Sequence, residues 1–330
     1  MPPLLRVDNL VKSYPIRKGM FQVRPETFVA VDHISFRIHS GETLGIVGES
    51  GSGKTTTGRT VLFLEKPTSG TVLFEGRDIG NLDGRSLRSL RRQMQMIFQD
   101  PFESLNSRMT VGEIIEEPFF IHRSGSLRDR HRSVLELLDR VGLPASAIDK
   151  YPHEFSGGQR QRIGIARAIA LHPNLIVCDE PVSSLDVSIQ GQILNLLIDL
   201  QQELGMAYLF ISHNLSVVKH ISDRVAVMYR GRFVETAPAE TLYRNPLHPY
   251  TRMLIDAIPT IDVRKRQAVQ PDITETGAVP PSTGCHFAFR CPMQQELCIR
   301  ERPELAPVHA SDEPEHLVAC HCRSNPSASS

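Results

Sequence analysis

The sequence carries no excess of charge, no long apolar run and almost no cysteine over most of its 330 residues. Its 37 Lys and Arg balance 37 Asp and Glu, so no overall field draws it to nucleic acid or anionic lipid. No apolar stretch approaches the roughly 18 residues that span a bilayer as a helix. The first residues, Met1-Pro2-Pro3-Leu4-Leu5-Arg6, lack the basic region and apolar core of a signal peptide. The expectation is a protein made and kept in the cytoplasm that reaches a membrane only through a partner. Cysteine is confined to Cys178 and to five positions between 285 and 322. In a reducing compartment that clustering argues for metal rather than disulfides. The remaining composition, 40% hydrophobic and 22% charged, is that of a globular chain with room for one large domain and an appendage.

What is present is organised around Gly48-Glu49-Ser50-Gly51-Ser52-Gly53-Lys54-Thr55, which fits the phosphate-loop pattern G-x-x-x-x-G-K-[ST]. Residues 43–47 before it read as a buried strand, and residues 56–64, opening with Thr56, read as a helix. That is the strand–loop–helix setting the pattern requires. Glycines let successive N–H groups turn onto phosphate oxygens, and the helix adds its positive end. Lys54 is placed to reach the β- and γ-phosphates and the Thr55 hydroxyl to take Mg²⁺.

Residues 4–10 and 28–38 read as strands, with a polar loop over 15–26. Tyr14 closes the first segment, either to stack on an adenine ring or to pack on the sheet as a strand-end aromatic. Residues 70–76 read as strand and turn, 87–93 as a basic helix, and 94–98 as a strand running into Gln99. Ligands bind at the carboxyl ends of strands in open α/β sheets, where the Gln99 amide can hold a water and Mg²⁺. Residues 104–150 turn helical. Ser156 then N-caps a helix over 160–171, and Gly157, Gly158 and Gln159 leave N–H groups open to a second anion. Residues 175–180 are an apolar run, the mark of a central parallel strand, ending in Asp179 and Glu180. Asp179 suits the Mg²⁺ shell. Glu180, expected to point the other way, suits the attacking water. After an amphipathic helix and the strand 207–211 comes His213, a group for the γ-phosphate at the same sheet edge. Taken singly, Gln99, the two acids and His213 have structural readings; their shared edge favours a site. A hairpin about Arg230-Gly231 and a short helix (239–243) close this body, residues 1–258. Residues 259–284 read as a linker, 285–322 as a cysteine-rich module and 323–330 as a disordered tail.

These pieces, in this order, resemble the ATP-binding subunit of ABC transporters across roughly residues 4–322. The resemblance implies an α/β fold: a P-loop NTPase of ABC type with an antiparallel β subdomain and a helical subdomain inserted at about 104–170. It makes residues 48–55 the Walker A loop, Gln99 the Q-loop residue and residues 155–159 the LSGGQ signature, with Phe155 in place of Leu. It makes Asp179 the Walker B aspartate, Glu180 the general base, residues 183–186 the D-loop and His213 the switch histidine, and it gives Tyr14 the adenine-stacking role. ATP is then sandwiched between the Walker A loop of one subunit and the signature of another. Residues 47–51, 101–106 and 245–251 are most similar to the dipeptide/oligopeptide importer group, and the whole to the second ATPase of a dipeptide permease. Implied partners are a second ATPase, two transmembrane permease subunits and, indirectly, an extracytoplasmic peptide-binding protein. No nucleic acid is implied, and the implied location is the cytoplasmic face of the cell membrane. Nickel and glutathione importers use similar ATPases, and a non-transport ABC ATPase is a further alternative. Asn214, Glu103 and Ser107 depart from the usual pattern without touching a catalytic role.

Cys285, Cys291, Cys298 and Cys320 are separated by five, six and twenty-one residues, with Cys322 two beyond. The close C-x₂₋₄-C pairs of structural zinc sites are missing, and four thiolates suffice for a 4Fe–4S cluster, though not at the common ferredoxin spacing. The resemblance favours the cluster over zinc, and Cys320 as its fourth ligand.

Overall fold

The computed structural model describes residues 2–16, 26–258, 283–308 and 315–324. The chain opens on a long antiparallel hairpin, β1 (Leu5–Ile16) with β2 (Glu26–Ile38), which pairs Tyr14 with Phe28 and Ile16 with Glu26. It outruns the expected strands because register shifts and a left-handed Asn9 break the apolar alternation without ending the ladder. β3 (Thr43–Val47) leads through the phosphate loop into α1 (Lys54–Val61). β4 (Ser69–Phe74) and β5 (Arg77–Asp78) complete an antiparallel sheet of order β2-β1-β4-β5. α2 (Gly84–Leu90) starts before residue 87 because the Asp83 carboxylate caps it, accepting from the Ser86 N–H at 2.7 Å.

β6 (Met94–Ile97) is followed by α3 (Pro101–Ser104), α4 (Val111–Ile121), α5 (Leu127–Arg140) and α6 (Gly157–Ile169). Thr110 with Glu113 and Ser126 with Asp129 form capping boxes that fix the starts of α4 and α5. Then come β7 (Leu175–Asp179), α7 (Val187–Leu204), β8 (Ala207–Ser212), α8 (Leu215–Ile221), β9 (Arg224–Tyr229) and β10 (Arg232–Pro238). Arg230 and Gly231, with φ of 44° and 85°, form the tight turn between the last two strands. α9 (Ala239–Arg244) and α10 (Pro249–Asp256) end this part of the chain.

The second sheet has the order β11-β12-β10-β9-β3-β8-β7-β6, where β11 (Ala306–Pro307) and β12 (Leu317–Val318) come from the C-terminal segment. β9, β3, β8, β7 and β6 run parallel. Alternate residues go to two cores. Ile46, Val177 and Leu209 face Val7, Val72 and Phe74 of the antiparallel sheet; Val47, Ile176 and Phe210 face Ile163, Ile193 and Val218 of α6–α8. Burial on both faces is why β3, β7 and β8 read as unbroken apolar runs. Their carboxyl ends share one edge, and that edge carries the site.

The cysteine-bearing segment, with α11 (Glu296–Arg300) and α12 (His321–Ser324), packs onto this body rather than standing apart from it. β12 pairs with β10 through Val318 opposite Glu235, and Phe287 lies in the core beside α6–α8. Buried Glu235 accepts from the N–H groups of Leu247 and His248, each at 2.8 Å, and lies 2.7 Å from His316 Nε2. The expected linker lies outside the described residues except for 283 and 284, as does the expected tail beyond 324.

Candidate active site

Sterics dictate the phosphate-loop glycines. A Cβ on Gly48 would meet the Met228 carbonyl oxygen at 2.1 Å; one on Gly53, at φ 106°, would meet the Ala30 carbonyl oxygen at 2.1 Å. Lys54, 5% exposed, donates to the carbonyls of Gly48 and Glu49 at 2.8 and 2.9 Å. Burial lowers its pKa, while Glu180, Asp179 and Glu49 pull the other way. Ser52 Oγ is buried with no partner. A desolvated ammonium beside an unmatched hydroxyl suits an anion with several acceptor oxygens.

Thr55 donates its hydroxyl to Asp179 Oδ1 at 2.9 Å. Burial raises the Asp179 carboxyl above the ordinary range, with Thr55, Arg59 and Lys54 opposing the shift. Two hard oxygens at this spacing suit Mg²⁺, which binds through one or two such ligands and keeps several waters. β7 stops at Asp179 because Glu180 takes a left-handed φ of 47° and donates its N–H to the Ile211 carbonyl at 2.8 Å. That turn, rather than strand alternation, aims the Glu180 side chain. Its Oε1 lies 3.0 Å from His213 Nδ1, and its Oε2 accepts from Gln99 Nε2 at 3.2 Å. The ends of β6, β7 and β8 thus converge on one carboxylate. A cleft of about 1030 Å³ opens there, lined by Gln99, Asp179, Glu180, Ser183, Ser184 and His213.

Tyr14 sits half-buried on β1, its hydroxyl donating to the Glu65 carboxylate. The Lys12 ammonium lies 4.9 Å from its ring centroid. Burial and Glu65 raise the phenol's pKa, and a hydrogen bond to Thr56, at the start of α1, opposes them. Ser156 N-caps α6 as expected: its Oγ accepts from the Gln159 N–H at 3.4 Å, and Gln159 Oε1 accepts from the Ser156 N–H at 3.0 Å. Gly158 has a packing duty that the sequence did not disclose, since its Cβ would fall 2.5 Å from Ile189 Cγ2 of α7. Among the described residues no hydrogen bond or ion pair joins residues 156–159 to the phosphate loop.

Two contacts to the loop were missed entirely. Tyr250 Oη accepts from the Glu49 N–H at 2.9 Å, and Arg290 grips the Glu49 carboxylate through two bonds of 2.9 Å. Nothing in the motif marks either partner.

Cys285, Cys291, Cys298, Cys320 and Cys322 line one cavity of about 10 Å³, room for roughly one water. Burial pushes the Cys291 thiol up to about 11 and the Cys320 thiol up to about 12. Among the described residues no three His, Cys, Asp or Glu side chains converge as a metal site. The donors are right for a 4Fe–4S cluster or zinc, but the described side chains form no metal-binding group and the cavity they share is small, so nothing here supports the expected cluster.

A parallel sheet with a phosphate loop, a Thr55–Asp179 hydrogen bond beside it and a carboxylate met from two neighbouring strands defines a P-loop nucleotide-binding protein. The ABC transporter family model matches residues 31–183, and that of the oligopeptide/dipeptide transporter C-terminal region matches residues 234–298. The chain is 52% identical over 324 residues to the oligopeptide transport ATP-binding protein AppF of Bacillus subtilis, covering 96% of this chain and 97% of that one. It is 45% identical over 322 residues to the dipeptide transport ATP-binding protein DppF of Haemophilus influenzae, covering 96% of each. The dimeric ATP-binding cassette MJ0796, in a post-hydrolysis state with ADP and Pi, superposes with a TM-score of 0.63 at 29% identity, over 71% of this chain and 98% of that one. The chain belongs to the ATP-hydrolysing subunits of ABC transporters, in the branch that carries the oligopeptide/dipeptide C-terminal region.

Proposed function

We propose that this subunit hydrolyses ATP to energise import of dipeptides or oligopeptides, working at the cytoplasmic face of the membrane with two permease subunits and a second ATPase. The observation that carries the reading is Glu180, held by Gln99 and His213 beside the Thr55–Asp179 pair. The names of AppF and DppF support the cargo class. Main-chain N–H groups of residues 48–54 and the Lys54 ammonium cradle the β- and γ-phosphates. Tyr14 stacks on the adenine, and Thr56 completes the loop end of the site. Thr55, Asp179 and Gln99 would hold Mg²⁺, which would supply charge neutralisation at the phosphates. Glu180 orients and deprotonates the attacking water while His213 meets the γ-phosphate from the next strand. Catalysis is chiefly positioning and charge stabilisation.

The signature residues Ser156, Gly157, Gly158 and Gln159 serve a partner's nucleotide, as the partner's serve this one. Among the described residues they make no bond to this chain's own loop, as that division expects. For Cys285, Cys291, Cys298 and Cys320 the reading extends only to donor chemistry. Thiols sharing one pocket are the donors that a 4Fe–4S cluster, or zinc, would need, and no step above passes through them.

The test is Glu180→Gln in the assembled transporter. Hydrolysis should fall about 10²- to 10⁴-fold with ATP still bound, and peptide uptake should fall with it. Unchanged turnover would remove Glu180 from its assigned role.

A further inference from the structure

We infer that Arg290, in the cysteine-bearing segment, is a positioning residue of the phosphate loop that neutralises and anchors Glu49 and so raises the site's affinity for nucleoside triphosphate. The inference rests on the nucleotide reading of residues 48–55.

Glu49 is held at both ends. Its N–H is taken by Tyr250, and its carboxylate receives Arg290 Nη1 and Nη2 at 2.9 Å each, a parallel two-bond grip that arginine makes and lysine does not. The guanidinium is itself located. Its carbon lies 5.8 Å from the Tyr229 ring centroid and 5.6 Å from that of Phe287. Phe287, 2% exposed, sits 5.4 Å from Tyr250, which stands 4.7 Å from Tyr229. Arg290 closes the turn formed by Ala288–Arg290, immediately before Cys291. The cysteine-bearing segment therefore delivers one positive charge to one loop carboxylate.

The charge matters because Glu49 already acts electrostatically on Lys54. Left unpaired, it would oppose the phosphates that Lys54 attracts, and ATP, with one more negative charge, would suffer more than ADP. The pair itself is 24% and 41% exposed. Pairs of that exposure contribute little to stability, so a purely structural role predicts almost no effect on nucleotide affinity.

Calorimetric titration of the full chain with MgATP and MgADP tests this. Arg290→Ala should weaken MgATP binding about tenfold and MgADP binding about threefold. Arg290→Lys, which retains the charge, should lose only about threefold and decides the matter if the alanine variant does not fold. Adding Glu49→Gln to Arg290→Ala should restore MgATP affinity to within about twofold of wild type. Arg300→Ala, at the exposed Glu296 pair of the same segment, should change nothing. MgATP binding by Arg290→Ala equal to wild type, or no recovery in the double variant, would overturn the inference. So would an equal loss in Arg300→Ala. A wild-type chain that binds neither nucleotide would instead overturn the nucleotide site, and this inference with it.

Discussion

Thr55 and Asp179, 124 positions apart in sequence, meet at 2.9 Å. The hydroxyl offsets part of what it costs to bury the carboxylate. Burial lifts the Asp179 pKa above its unfolded value, so its contribution to stability is complete below the unfolded pKa and is lost as pH rises through the folded one. At neutral pH the ionised group is a net cost. Asp179→Asn should stabilise the nucleotide-free chain and abolish the further stabilisation that MgATP gives the wild type. Thermal unfolding with and without MgATP measures both. Retained MgATP stabilisation would deny Asp179 its part in holding the cation.

His248 gives a second pH dependence, of opposite form. Burial pushes it down to about 4, and its Nδ1 accepts from the Tyr250 N–H at 3.1 Å. The native ring stays neutral while the unfolded chain takes up a proton below about 6.5. Stability is therefore full above pH 6.5 and should decline by up to about 3 kcal/mol as the pH falls towards 4. His248→Asn keeps a capping acceptor and does not titrate, so its urea midpoints should decline less across that window. Identical profiles for the two proteins would assign the acid sensitivity elsewhere.

Two glycines of α6 should respond to alanine with opposite signs. At Gly158 the new Cβ meets Ile189 at 2.5 Å, and at Gly164 it meets nothing within 4 Å. Gly158→Ala should cost about 1–3 kcal/mol by forcing α6 and α7 apart. Gly164→Ala should gain about 0.5–1 kcal/mol by restricting the unfolded chain. Denaturant melts of the two variants decide it. A harmless Gly158→Ala would mean that its role is access for an anion alone.

How much could be read from the sequence depended on how locally each feature is encoded. β3, β7 and β8 were legible because burial on both faces writes an uninterrupted apolar run. The placement of Gln99, Glu180 and His213 at one sheet edge was legible because each comes within two residues of a strand's end. The direction of Glu180 was not, since it follows from a left-handed φ held by the Ile211 carbonyl on the neighbouring strand. Gly158 against Ile189 needed the packing of α6 on α7. Arg290 lies 241 positions from Glu49, and no periodicity spans that distance. The cysteines illustrate the same divide: their number was plain, while their gathering around one small cavity beside His248 and Phe287 was not.

The pairing of β12 with β10 has a consequence for the chain's birth. β10 is almost wholly buried, and among the described residues one of its flanks pairs with β12, which contributes Leu317 and Val318. While the ribosome is still adding the residues between them, a nearly finished ATPase body presents the unpaired main-chain edge of β10 at Glu235 and Thr236. Such edges template pairing with other chains. The closing strand thus acts late as a seal, and shortened products that lack it should be the ones that aggregate during synthesis.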